Sequence, residues 1–471
     1  MIRIRRRGLL APSGAATLAL AFSLNCVGLL AAPKAEFHLA TFSVNVTVPM
    51  GHALMGGGIQ PSQKVADPLF AKGWVLLGGD KPTVMVSVDW CEIRNAAYER
   101  WRNVLAKAAD TDPVRVLVTS THVHDAPVAD LEAQNILNAS LAVGSVCNLE
   151  FHEEAVQRVA EALKESFKSA RRVTHLGVGQ AKVEKVASNR RYVLPDGAVN
   201  YGRTSRSKAP EAHAAAEGTI DPWLKTLSFW DGKQPVAAMH AYAVHPMSYY
   251  GTGEVSADFV GMARERMQVD YPSVFQIYVS GCSGNLTAGK YNDGSPTNRP
   301  VLADRIYRAM KASWGQTKRL KLVQADFRVV ALQLKPRDST GFTVADMEKR
   351  VKEDPKPFGQ CLAAMGLSWR KRCAAGRLID VPSLDFGPAQ LLLLPAESYV
   401  EFQLFAQQQR PRSFVMVMGY GECAPGYIPI ERAWKENDEN LNDWCWVSPG
   451  AEAAVKQAIE AALRPAARTS R

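Results

Sequence analysis

Short apolar runs rich in β-branched residues alternate along this chain with longer stretches whose apolar positions recur every three or four residues. The short runs predict strands over 42–48, 83–88, 116–118, 174–180, 221–230, 235–244, 274–279, 323–334, 391–394 and 414–418. The longer periodic stretches predict helices over 93–109, 257–268, 299–314, 399–408 and 451–463. A further helix carries Phe151, Val156, Val159, Leu163 and Phe167 on one face, with His152 at its start, on the surface. A basic, helical excursion reaches to about residue 378. Alternation of this kind predicts an α/β fold: one large domain over 40–463 with a mixed β-sheet core flanked by helices. No internal repeat or linker divides it.

Polar residues of chemical interest cluster just past the ends of the apolar runs. In open α/β sheets that carboxyl edge is where sites are built. The strand at 116–118 is expected to continue through Thr-Ser-Thr into His122-Val-His124 and to stop at Pro127. Strand alternation would then put His122 and His124 on one side. The strand at 235–244 runs into His245-Pro246, whereas His240, five residues earlier, faces the other way and is expected in the core. Asp89 follows the strand at 83–88, where it could cap the helix at 93–109. The strand at 274–279 ends in Ser280-Gly281-Cys282-Ser283-Gly284-Asn285, a turn that lacks the Gly-X-Ser-X-Gly of a nucleophile elbow. Met55-Gly56-Gly57-Gly58 reads as a turn or a pocket rim, and the hydrophilic stretch over 187–219 as an active-site loop or flap. His122, His245, Glu397 and Tyr427 are thus four oxygen or nitrogen donors at or shortly after strand ends.

Composition narrows the class. The chain has 471 residues and a net charge of +10; removing the n-region arginines Arg3, Arg5, Arg6 and Arg7 leaves +6. No basic block is interleaved with aromatics, so nucleic acid is not implied, and only a weak pull toward anionic membrane surfaces is expected. Residues 1–32 have the pattern of a signal sequence, with an apolar run over 15–30 before Ala31-Ala32. Arg6-Arg7-Gly8-Leu9-Leu10 fits a twin-arginine signal, and Ser23-Leu24-Asn25-Cys26 is a poor lipoprotein box. Export to a periplasmic or secreted location is expected, with a retained anchor as the alternative. Residues 464–471 form a basic tail. There are eight cysteines, seven after cleavage, and no Cys-X-X-Cys; Cys361 with Cys373 and Cys423 with Cys445 are candidate pairs in an oxidising compartment.

Six segments resemble, in order, the neutral (non-lysosomal) ceramidases, zinc enzymes that cleave the amide of N-acylsphingosine. They are Ser120-Thr121-His122-Val123-His124-Asp125-Ala126-Pro127, Ser188-Asn189-Arg190, Asp221 through Ala243-Val244-His245-Pro246, Ser283-Gly284-Asn285, Pro395-Ala396-Glu397 and Gly426-Tyr427-Ile428-Pro429. The resemblance covers roughly residues 40–440. It implies one Zn²⁺ per chain bound by His122, His245, Glu397 and Tyr427, with Ser283, His124 and Arg190 acting on a substrate that carries an N-acyl group.

Departures from the family pattern are specific. The family's Gly-Asp-X-Ser-Pro-Asn is here Gly281-Cys282-Ser283-Gly284-Asn285, and its Thr-His-Thr-His-Ser-Gly-Pro is Thr-His-Val-His-Asp-Ala-Pro. Asp125 therefore adds a charge that could support the metal ligands. The chain ends about where the family's carboxy-terminal immunoglobulin-like domain would begin, so that domain is expected to be absent. The rival readings are a metal-stabilised binding protein without turnover, an amidase for another N-acyl compound, and a binuclear hydrolase. The last would extend His-X-His to His-X-His-X-Asp-His, where this chain has Ala126 and Pro127. No obligate protein partner is implied.

Overall fold

Most strands here are apolar on both faces, and a strand of that kind has to be covered on both sides. The computed structural model describes residues 36–465; the signal sequence and most of the basic tail lie outside them. The first of three mixed sheets holds β1 (Phe37–Asn45), β2 (Phe70–Leu77), β3 (Thr83–Val88), β4 (Val116–Ser120) and β5 (Arg171–Val173), in the order β4-β3-β2-β1-β5. The second holds β6 (His175–Lys182), β7 (Trp223–Asp231), β8 (Gln234–Tyr242), β9 (Phe275–Ser280) and β10 (Lys318–Lys321), in the order β9-β8-β7-β6-β10. The third is β11 (Asp326–Leu332), β12 (Ile379–Asp385), β13 (Ala389–Leu393) and β14 (Phe414–Met418), in that order.

One face of each sheet packs into a shared core: Trp74, Met85 and Leu117 from the first, Phe229, Met239 and Ile277 from the second, Leu391, Leu393 and Met416 from the third. The alternate residues, such as Val84, Val86, Val116 and Val118, face helices. This is why the strands read as unbroken apolar runs.

Each sheet is antiparallel except for one pair at an edge: β3 with β4, β8 with β9, and β13 with β14. Parallel neighbours need a crossover. Here the crossovers contain the helices Asn95–Ala109, Asp258–Asp270 and Val400–Gln409. Three strand–helix–strand units result, and the carboxyl ends of their strands meet. Ser120 N–H donates to the Tyr420 carbonyl (3.1 Å) and Gly419 N–H to the Ser280 carbonyl (2.8 Å). Ser280 Oγ donates to the Thr121 carbonyl (2.7 Å), and Thr119 Oγ1 to the Gly419 carbonyl (2.7 Å). The three edges thus satisfy one another's backbone groups, as burial requires.

Several local expectations change. Strand β4 stops at Ser120, so His122 and His124 are not on a strand. The helix expected from 93 starts at Asn95, and Asp89 does not cap it. Asp89 instead accepts from Nη1 and Nη2 of Arg264 (2.8 and 2.9 Å), both away from solvent, and from the half-buried Phe70 N–H (2.9 Å). His152 is buried against Trp90 rather than on the surface, and burial pushes it down to about 4. His240 sits in the core as expected, bonded to Thr226 Oγ1 and Gln276 Oε1. The seven cysteines among the described residues are free thiols. Cys361 and Cys373 share the helix Pro357–Ala374, about 18 Å apart along its axis, too far to bridge. Among the described residues no helix is long and apolar enough to cross a membrane.

The Asp89–Arg264 pair gives a direct test of the fold. Asp89→Ala would strand a buried guanidinium, and a loss of about 3–5 kcal/mol is expected. Urea denaturation followed by circular dichroism should show a clearly lower midpoint; an unchanged midpoint would mean the pair does not brace the first unit.

Candidate metal centre

Each of the three units delivers one donor. His122 follows β4, His245 follows β8, and Glu397 follows β13. Two-residue ladders beyond the sheets then set their positions. Glu397–Ser398 pairs in parallel with Tyr427–Ile428, placing Glu397 opposite Tyr427. Glu92–Ile93 pairs with Val128–Ala129, bracketing the turn that carries both histidines. Ser188–Asn189 pairs with Leu286–Thr287, bringing Arg190 to the same place. His122, Ala396 and Tyr420 all have left-handed backbones (φ 63°, 51° and 55°). Such residues cost of order 1–3 kcal/mol each and concentrate where a site over-determines them.

The polar geometry leaves three lone pairs facing one another. His122 Nδ1 lies 2.9 Å from the Cys91 carbonyl, and His245 Nδ1 lies 3.0 Å from the Ser283 carbonyl. A carbonyl only accepts, so both Nδ1 atoms donate, and each ring in its neutral form presents Nε2 as an acceptor. Those two Nε2 atoms are 2.9 Å apart, and Glu397 Oε2 is 3.2 and 3.4 Å from them. Glu397 Oε2 is buried without a hydrogen-bond donor. Three such converging atoms could hold a cation, and two imidazoles with one carboxylate suit Zn²⁺. Tyr427 lines the same cavity and lies under the Arg190 guanidinium, 5.2 Å from ring centre to Cζ.

Electrostatics separates the two imidazoles. Burial works to lower His122, but the Glu397 carboxylate, Glu92 and the Cys91 carbonyl together outweigh it and the pKa rises. Burial and then the neighbouring His122 charge both push His245 far down. His124 is also driven well below its ordinary value, by burial, then His122, then Arg190, so it is neutral near pH 7. Its ring stands 5.1 Å from that of His122 and 5.3 Å from that of His245. Neither of its nitrogens has a partner, which in a buried site calls for a ligand.

His122, His124, Arg190, His245, Glu397 and Tyr427 all line one cavity of about 330 Å³. Ser283 does not line it. Its side chain is fully buried, with Oγ 2.6 Å from the Tyr420 hydroxyl, and its carbonyl orients His245. Asp125 does not support the metal donors either. It accepts from Gly251 N–H (2.9 Å) and pairs with Arg299 (3.2 Å), holding the neighbouring loop that carries Tyr250. Burial raises Asp125 to about 7.

Sequence reasoning missed Tyr420, which stacks on His122 (4.3 Å, 20° between planes), and Tyr250, 5.1 Å from His124. An aromatic between two glycines at a strand end was the signal available for Tyr420. A second set of ligand atoms, from Cys91, His122 and His124, also lies close together, but the His122 nitrogen nearest the Cys91 sulfur is Nδ1 (3.9 Å), already engaged by the Cys91 carbonyl.

Fold and cluster together define an α/β protein with a buried histidine–carboxylate centre open to a cavity. Among solved structures the chain is similar to the neutral ceramidase from Pseudomonas aeruginosa, at TM-score 0.67 and 15% identity over 90% of this chain and 73% of that one. It is similar also to a ceramidase complexed with C2, at TM-score 0.67 and 16% identity over 90% and 74% of the two chains. The chain has the ceramidase fold. No protein-family model matches it, and no curated protein matches it.

The two candidate donor sets make opposite predictions. His245→Ala and Glu397→Ala should each abolish stoichiometric zinc binding, whereas Cys91→Ser and His124→Ala should retain it, as read by metal analysis after dialysis. Loss of zinc in Cys91→Ser with retention in His245→Ala would reverse the assignment.

Proposed function

We propose that this chain is a zinc-dependent amidohydrolase that cleaves the linear amide of an N-acyl lipid, an N-acylsphingosine foremost. The observation that carries the reading is the convergence of His122 Nε2, His245 Nε2 and Glu397 Oε2 at the floor of a cavity, in a chain with the ceramidase fold. A zinc ion held by His122, His245, Glu397 and Tyr427 would polarise the amide carbonyl and lower the pKa of a water toward about 7.

The chain's own residues account for the remaining requirements. His124 is neutral, lines the cavity and has both nitrogens free, so it can take a proton from the attacking water and pass it to the leaving nitrogen. The new C–O bond forms first, and the C–N bond then breaks as His124 delivers the proton to the nitrogen, giving a fatty acid and an amine. Arg190 donates Nη1 to Asn440 (3.0 Å) and keeps an unpartnered Nε–H, which suits it to hold charge developing on the carbonyl oxygen. Ser283 enters as a positioning residue. Its hydroxyl is engaged by Tyr420 behind the donors, and its carbonyl fixes the His245 tautomer. Met55, Phe358 and Trp444 supply an apolar wall on one side of the cavity.

The test is amine release from a fluorescent short-chain ceramide by zinc-loaded protein, with and without chelator. Chelator-sensitive release is expected. His124→Ala should lower kcat by roughly 10²-fold or more with zinc retained, and Ser283→Ala should fall much less. Zinc-replete protein that binds the lipid and releases nothing would instead make the chain a metal-stabilised binding protein.

A further inference from the structure

Two of the most exposed large apolar side chains among the described residues are neighbours on one loop: Leu141 is 92% exposed and Val143 is 81% exposed. Isolated exposed apolar residues are ordinary, but this loop is held in place to present them. The Gln360 amide oxygen accepts from both Val143 and Gly144 N–H (3.0 Å each). The Gln134 amide oxygen accepts from Val146 (2.8 Å) and Cys147 N–H (3.1 Å). Both glutamines are buried, and Leu141 itself is left-handed (φ 52°). A loop free to move would fold its leucine inward; four backbone hydrogen bonds prevent that here.

The loop adjoins both a groove and the cavity. The groove, of about 500 Å³, has Ile136, Val351 and Leu367 in its walls, together with Lys352, Glu348, and Arg370 and Lys371, which are paired with Asp338 and Glu132. On the other side, Gly144 packs on the carbonyl of Pro357, next to Phe358, and Gly57 packs on the carbonyl of Ser145, beside Met55. Phe358 and Met55 line the candidate catalytic cavity. The base of the loop thus touches the two segments that carry the cavity-lining Phe358 and Met55. Exposed Lys356, at the start of the helix Pro357–Ala374, adds a positive charge beside it.

We propose that this edge docks on an anionic lipid bilayer, with Leu141 and Val143 inserted and the flanking lysines among the headgroups. Docking there would set the wall of the candidate cavity close to the bilayer surface. The occupant follows from the exposed apolar pair at the tip and from the exposed Lys352 and Lys356 beside it, since apolar anchors with lysines around them match a bilayer interface. The proposal rests on the reading of the substrate as a lipid.

Vesicle flotation tests it without reference to turnover. The chain should float with phosphatidylcholine vesicles containing phosphatidylglycerol, and less with phosphatidylcholine alone. L141D/V143D, with the same amino terminus and a native circular dichroism spectrum, should bind roughly tenfold or more weakly. K352E/K356E should lose binding selectively on the anionic vesicles. Hydrolysis of a soluble short-chain substrate should be unchanged in L141D/V143D. Equal flotation of L141D/V143D and the parent chain would overturn the proposal, as would no flotation of either. So would a dimer that L141D/V143D dissociates, because the patch would then be covered by a second copy. Docking without amide cleavage would sink the amidase reading and leave this surface standing; cleavage without docking would do the reverse.

Discussion

Two imidazole nitrogens and a carboxylate oxygen held within about 3.4 Å of one another are the constraint on which the rest of this structure depends. Holding three such atoms on one point takes a surrounding chain stiff enough to keep them together. Stiffness comes from two sources. The Cys91 and Ser283 carbonyls lock both imidazoles by their far nitrogens, and the left-handed backbones at His122 and Ala396 aim the donors inward. Behind them, Tyr420 stacks on His122 and takes up the Ser283 hydroxyl. The cluster is thereby tied to the third unit through both of the others.

That arrangement explains why the fold needs three sheets to make one centre. A single sheet presents its strand ends in a row, about 4.8 Å apart, which favours a shallow edge site. Here three parallel pairs meet end to end, closed by the hydrogen bonds among Ser120, Ser280, Gly419 and Tyr420. Their donors can converge from different directions on one point, as a tetrahedral ion requires. The common core of Trp74, Phe229 and Leu391 with their neighbours holds the sheets at that angle. Asp89 and Arg264 secure the end of the first unit beside the histidine turn.

Much of this was legible in the chain. Strands buried on both faces leave continuous apolar runs, so β3, β4, β8, β9, β13 and β14 and the residues just after them stood out. His122, His245 and Glu397 were found that way. β2, β5, β10 and β12 were not found: β5 and β10 are exposed edge strands, while β2 and β12 are buried but interrupted, by Lys72-Gly73 and by Asp380, Pro382 and Ser383. The expected side-by-side histidines do share a cavity, but through a left-handed turn after Ser120 rather than through strand alternation. Asp89 and Asp125 sit where capping and metal support were expected, yet each is taken by an arginine far away in sequence, Arg264 and Arg299.

The sequence by itself determined the α/β alternation, the identity of the donors and their place past strand ends, because hydrophobic periodicity and residue chemistry are local properties. Only the tertiary structure decided which strand ends meet, which way Ser283 turns its hydroxyl, and that Tyr420 and Tyr250 stand against the histidines. Those outcomes depend on contacts between residues more than a hundred positions apart, set by which sheet edges can satisfy one another's backbone groups when buried. No local pattern in the chain carries that information.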